Sequence, residues 1–334
     1  MNAGVDLVTG GAGFIGSELV ALLVAAGRRV VVLDDLSAGR EAYLDGLPPA
    51  RCTLVRGTIL DRGLVQTLVG GSERVFHLAA RGLRQSIHDP EPVHAVNATG
   101  TLILLEAARR AGIERFVHVS SSEVYGPART APMDETLPTY PTTPYGASKL
   151  AGEAYARSAF ITHGLPVVVV RPFNVFGPRS HHEGASGEVI PRFMLRALAN
   201  QNLIVFGDGM QTRDFTYVAD MARAILLAGD ADAAVGETVN VGSGAEISIS
   251  DLARLVARTV GAQDASIVHQ ADRPGDVSRL LCDNRKARRL LGWTAETGLA
   301  AGLTLLRRWY ATQPYTPERM LADEIVRNWE PVSA

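Results

Sequence analysis

Tyr145 and Lys149 stand four residues apart in a stretch, 145–162, whose pattern predicts a helix, so the two side chains share one face of it. An ammonium beside a phenol favours the phenolate and lowers its pKa toward the range useful for acid–base work. Ser120, Ser121 and Ser122 end an apolar, strand-like run at 116–120, so a hydroxyl there can bond the same substrate oxygen as the phenol. Together these groups suit hydride chemistry at a carbinol carbon. A tyrosine–lysine pair by itself is common on helix surfaces, so the reading depends on whether the chain also holds a hydride carrier.

Thr9-Gly10-Gly11-Ala12-Gly13-Phe14-Ile15-Gly16 follows a strand-like run, Val5–Val8, and opens a helix from Phe14 to about Ala26. Gly10, Gly13 and Gly16 allow a tight turn there and bring backbone N–H groups, with those of Phe14 and Ile15, to a pyrophosphate at the positive end of the helix. Asp34 ends the next strand, 18 residues after Gly16, where a carboxylate accepts both ribose hydroxyls and repels a 2′-phosphate. The expected cofactor is therefore NAD.

The elements that must position these groups alternate. Strand-like runs at 29–33, 53–56, 74–78, 116–120 and 167–171 are nearly continuous in apolar character, as in parallel strands buried on both faces. Helical patterns at 99–111 and 145–162 end at Gly112 and Gly164. The expectation is an α/β, Rossmann-type doubly wound parallel sheet with a smaller C-terminal substrate-binding lobe. Residues 1–176 form the NAD-binding part, with 214–243 returning to it, and 177–213 with 244–334 form the second lobe. Residues 177–190, rich in Gly, Ser, His and Glu, read as an exposed loop. Met320, Leu321, Ile325 and Trp329 recur at helical spacing.

Composition excludes other classes. In 334 residues, 33 Lys and Arg against 35 Asp and Glu give a formal charge of −2, with no basic cluster for a nucleic acid. The apolar run Leu19–Ala26 is far short of the roughly 20 residues of a membrane span. Two cysteines, Cys52 and Cys282, make neither a disulfide framework nor a metal site. A cytoplasmic protein without metal, nucleic-acid or membrane partner is expected.

His77-Leu78-Ala79-Ala80, Asn97-Ala98-Thr99-Gly100-Thr101, Ser120–Gly126, Tyr145–Lys149 and Arg171-Pro172-Phe173-Asn174 follow the glycine motif in order. Gly207–Asp220, Asn240–Gly244 and Arg273-Pro274-Gly275-Asp276 come later. Over residues 4–310 this succession resembles the extended short-chain dehydrogenases/reductases, in their NAD-dependent nucleotide-sugar epimerase/dehydratase branch. The resemblance implies a catalytic set of Ser121, Glu123, Tyr145 and Lys149, acting through transient oxidation of the sugar at C4. Tyr145 would act as base on the 4-hydroxyl, Ser121 would hydrogen-bond O4, and Lys149 would lower the phenol pKa and hold the nicotinamide ribose. It adds Asp61, Ala79, Ala80 and Asn97 to the cofactor contacts. Ser122, Asn174, Phe206, Arg213, Arg273 and Asp276 would bind the nucleotide sugar, and a homodimer would form through helices 99–111 and 145–162.

The chain departs from the family pattern at Thr58, where a carboxylate toward adenine is usual, and at Glu188, where Asn is frequent. Glu123 points to a 4,6-dehydratase-like water elimination, because a carboxylate there can remove the C5 proton that a 4-ketone makes acidic. A 4-epimerase is the alternative. A UDP-glucuronate decarboxylase would share Ser122-Glu123 but needs an arginine where Leu280 stands, next to Arg279. An NAD-sensing module without catalysis is the non-enzymatic alternative.

Overall fold

Seven short runs rich in Val, Leu and Phe line up side by side in the computed structural model, which describes residues 4–184, 186–262, 265–273 and 277–329. They are β1 Val5–Thr9, β2 Arg29–Asp34, β3 Cys52–Arg56, β4 Arg74–His77, β5 Arg115–Val119, β6 Val167–Pro172 and β7 Thr238–Val241. Their spatial order is β3-β2-β1-β4-β5-β6-β7, and every pairing is parallel. β5 and β6 are buried along their whole length, which is why they read as unbroken apolar runs. The order reverses between β1 and β4, and in such sheets a crevice opens there, beyond the carboxyl ends of the strands.

Helices cover both faces. α1 Phe14–Ala25 lies on one face with a helix contributed from far along the chain, Val218–Asp230. On the other lie α2 Arg62–Gly70, α3 Thr101–Ala111 and α4 Pro144–His163. A separate core joins α5 Val189–Leu198, α6 Ile249–Val260 and α7 Leu299–Ala311. The division is not a clean cut in sequence: Ala287, Leu291 and the fully buried Trp293 pack into the core beneath the sheet. Asp214 ties stretches distant in sequence together, its carboxylate accepting from the backbone N–H groups of Ser243, Gly244 and Cys282.

α4 carries the tyrosine–lysine pair, and its seat is fixed at both ends. Thr143 caps it through the Gly146 N–H at 3.0 Å, with Pro144 in the first turn. A Cβ on Gly146 would lie 2.6 Å from the Glu123 carbonyl, so only glycine lets the helix come this close to the turn after β5. Further along, Glu153 accepts from Arg171 of β6 at 2.9 and 2.6 Å, both side chains buried. Arg171 also lies over the Tyr125 ring at 4.6 Å, and the Tyr125 hydroxyl donates to Asn240 at 2.8 Å.

Two expectations are corrected. Residues 177–190 do not form an exposed loop. Arg179 donates to Ser17 at 2.6 Å and to Glu18, Arg40 pairs with Glu183, and His181 meets Phe14 edge to face. Among the described residues of that stretch only Ser186 is exposed, because its polar side chains find charged partners on α1 and the loop after β2. The segment beyond Pro314 is not one continuous helix. A single turn at Pro317–Met320 gives way to turns and a β-bridge between Glu324 and Gly184, because carbonyls there serve Arg192 rather than a helical ladder.

Candidate active site

A cleft of about 940 Å³ runs from the glycine turn across the ends of β1, β2, β4, β5 and β6 into the second lobe. Gly10 sits in the left-handed region at φ +72°, and a Cβ there would lie 2.7 Å from the Ala79 nitrogen. The turn thus lies flat against the end of β4, with Gly10, Gly13, Phe14, Ile15, Gly16, Ala79 and Ala80 all lining the cleft. The first turn of α1 has no side-chain cap and no acidic residue, so its N–H groups are available to an anion. That open helix start and the bare backbone beside it fit a dinucleotide pyrophosphate.

Asp34 lines the same end, 7% exposed. One carboxylate oxygen accepts from Ala12 N–H at 3.0 Å and the other from Leu36 N–H at 2.9 Å. Burial pushes its pKa up while these two bonds hold it down. The carboxylate therefore shapes the turn as well as facing the cleft. Asp34→Asn would set an amide N–H against a backbone N–H, and NAD affinity should fall by about tenfold, roughly the cost of one unmet buried donor. Titration of NAD into the two proteins checks this.

Two cofactor residues implied by the resemblance stand elsewhere. Asp61 is exposed, caps α2 by accepting from Gly63 and Leu64 N–H at 3.0 Å each, and does not line the cleft. Asn97 is buried behind the wall. Its Oδ1 accepts from Arg81 N–H at 2.8 Å, and its Nδ2 donates to the Arg81 carbonyl and to Ser148 Oγ. The Asp61 carboxylate is thus engaged by backbone, and the Asn97 amide by backbone and the Ser148 side chain, where it braces the loop after β4 against α4.

The chemical end gathers Ser121, Ser122, Glu123, Tyr145 and Lys149 on the cleft wall. Ser121 Oγ accepts from Glu123 N–H at 3.2 Å, closing a short turn after β5, and the same side chain works to lower the pKa of the Tyr145 phenol. The phenol is not lowered, contrary to expectation. Burial pushes it up to about 12, and the charges of Glu123 and Glu188 add to the rise. Lys149 instead reaches past it to the Val119 carbonyl at 2.6 Å, and burial brings its ammonium down to about 8. Beside it, buried His77 is held neutral between Thr9 and Thr101, its pKa down to about 3 through burial and the Lys149 charge.

In the second lobe Asn174, Phe206, Arg213 and Arg273 line the cleft. Asn174 Nδ2 donates to the Asp214 carbonyl at 3.4 Å and Arg213 to the Thr212 carbonyl at 2.8 Å. Asp276 lies outside the described residues. Arg279 pairs with Glu246 and does not line the cleft, whereas Leu280 does. Sequence reasoning missed Arg84, whose charge reaches Glu188, and Glu324, which comes from a segment outside every motif. Glu188 itself lies at the start of α5, and burial raises it to about 8, so its carboxyl is mostly neutral at pH 7.

Residues 7–306 match the family model for GDP-mannose 4,6 dehydratase. The UDP-glucose 4-epimerase of Mycolicibacterium smegmatis is 41% identical over 89% of this chain and 95% of its own length. The dTDP-glucose 4,6-dehydratase of Streptomyces niveus is 38% identical over 91% and 92%. The dTDP-glucose 4,6-dehydratase DesIV of Streptomyces venezuelae, crystallised with NAD, superposes with a TM-score of 0.86 at 35% identity, covering 92% of this chain and 97% of that one. The open glycine turn, the parallel sheet reversing at β1 and β4, and these likenesses place the chain in the extended short-chain dehydrogenase/reductase family, among its NAD-dependent nucleotide-sugar epimerases and dehydratases.

Proposed function

We propose that this enzyme takes a nucleoside-diphosphate sugar, oxidises it transiently at C4, and eliminates water as a 4,6-dehydratase does. NAD, when bound, accepts and returns the hydride. The observation that carries the dehydratase reading is Glu123, a carboxylate on the cleft wall one short turn from Ser121, with its charge felt at Tyr145. In this reading Tyr145 handles the proton of the sugar 4-hydroxyl, Ser121 fixes that oxygen, and Lys149 holds the cofactor side of the phenol. Glu123 removes the C5 proton once C4 is a ketone, the C5–H electron pair forms the C5–C6 double bond, and the carboxyl passes the proton it has taken to the 6-hydroxyl, which leaves as water. Asn174, Arg213 and Arg273 take the diphosphate and Phe206 the base.

A 4-epimerase is the second reading, favoured by the 41% identity to a protein of that name. The decarboxylase alternative loses support because Arg279 is occupied by Glu246 away from the cleft. Homodimerisation through α3 and α4 belongs to the same proposal; Tyr155 and Ile161 of α4 are exposed apolar side chains suited to it.

Mass spectrometry of products from a panel of nucleotide sugars with NAD tests the reading. A product lighter by one water supports it, and an isomer of unchanged mass replaces it with epimerisation. Glu123→Gln should lower water loss by about 10²–10⁴-fold while leaving C4 oxidation detectable as reduced NAD absorbance. Elimination that survives the substitution removes Glu123 from the mechanism.

A further inference from the structure

The segment after α7 crosses the second lobe and ends, among the described residues, at an aromatic cluster. Leu321 is buried in the lobe core. Glu324 accepts from Arg196 of α5 at 3.1 and 2.7 Å. Arg192, one turn earlier on α5, donates to the carbonyls of Ile325 and Gly184 at 2.8 and 2.9 Å. These bonds fasten the segment across α5 and fix where it arrives. It arrives at Phe206, whose ring meets that of Trp329 edge to face, centroids 4.7 Å apart and planes at 88°. Arg273 enters the same cluster, its Cζ 5.3 Å from the Phe206 centroid and 5.0 Å from that of Trp329. Phe206 and Arg273 line the cleft, whereas Trp329 does not.

We propose that Trp329 is a positioning residue for nucleotide binding: with Phe206 it holds the Arg273 guanidinium at the diphosphate end of the cleft. An arginine side chain loses substantial rotamer freedom when it is fixed on an anion. Two rings within 6 Å hold the cation by attraction to their faces, so part of that ordering is already complete before the ligand arrives. The segment that carries Trp329 lies outside the motifs shared with the family, and nothing in those motifs calls for an aromatic residue here. The inference rests on the reading above that this end of the cleft takes a nucleoside diphosphate.

Binding of UDP, dTDP, GDP and CDP to the full-length protein, measured by calorimetry, tests it. The diphosphate that binds the wild-type protein most tightly should bind Trp329→Leu about 3- to 30-fold more weakly, the span expected for one cation–π contact. Trp329→Phe should recover most of the loss, and NAD affinity should not change. In an Arg273→Ala background, Trp329→Leu should add little. Equal affinities for wild type and Trp329→Leu overturn the inference. So does an undiminished loss in the Arg273→Ala background, which would mean that Trp329 acts through something else. Weakening of NAD and diphosphate together marks a general structural role and also overturns it. If no nucleoside diphosphate binds the wild-type protein at all, the reading of the site falls with it, which separates the two failures.

Discussion

Tyr145→Phe should lower turnover of the nucleotide sugar by about 10²–10⁴-fold, the usual worth of a positioned acid–base group, while NAD binding and folding persist. The phenol oxygen lies on the cleft wall with Ser121, within the field of both Glu123 and Glu188. Burial and those two carboxyl groups set its pKa near 12 without ligands, so at pH 7 it carries its proton. To accept a proton from a sugar hydroxyl it must first give up its own and become phenolate, which the oxidised nicotinamide's positive charge would favour in the loaded site. Titration followed by ultraviolet absorbance should therefore show a tyrosine whose pKa falls when NAD is added, absent from Tyr145→Phe. Turnover of the variant within tenfold of wild type would move the acid–base role elsewhere, with Glu188 as the next group to test.

Lys149→Met should be inactive yet more stable than the wild-type apoprotein at pH 7. The ammonium is 2% exposed, and burial lowers its pKa from 10.5 to about 8. A lowered pKa in the folded state means that the unfolded chain binds the proton more tightly between those values. Stability therefore rises with pH across that window, and the penalty is fully present below pH 8. At 1.36 kcal/mol per unit, the penalty is on the order of 3 kcal/mol. Methionine removes it but leaves the Val119 carbonyl, bonded at 2.6 Å, without its donor, which costs about 1–3 kcal/mol. The net gain should be about 1 kcal/mol at pH 7 and should vanish or reverse by pH 10. Urea unfolding at both pH values decides it, and a variant less stable than wild type at pH 7 would show that the lysine's bond outweighs its desolvation. On the proposed reading the loss of activity follows from the missing ammonium on the cofactor side of the phenol, a role kept at a cost in stability.

The sequence by itself determined the parts governed by neighbours along the chain. A glycine turn between a strand and a helix has few conformations, so Gly10–Gly16 defined the open helix start, and Asp34 at the end of β2 had one place to go. Spacing of four on α4 put Tyr145 and Lys149 on one face, and the unbroken apolar runs of β5 and β6 required burial on both sides. The tertiary structure decided what depends on residues distant in sequence. Lys149 bonds the end of β5 at the Val119 carbonyl, and Glu188, brought in by α5, helps to raise the phenol instead of letting it fall. Asp61 and Asn97 match the family motifs but are engaged elsewhere, Asp61 by local backbone and Asn97 by Arg81 and Ser148, a competition that a motif does not record. Residues 177–190 are covered because Arg179 and Glu183 find partners on the first lobe. Trp329 reaches Phe206 because Glu324 and Arg196 pair across α5. Burial and charge are sums over everything that surrounds a side chain, and a chain read in order does not contain that sum until it folds.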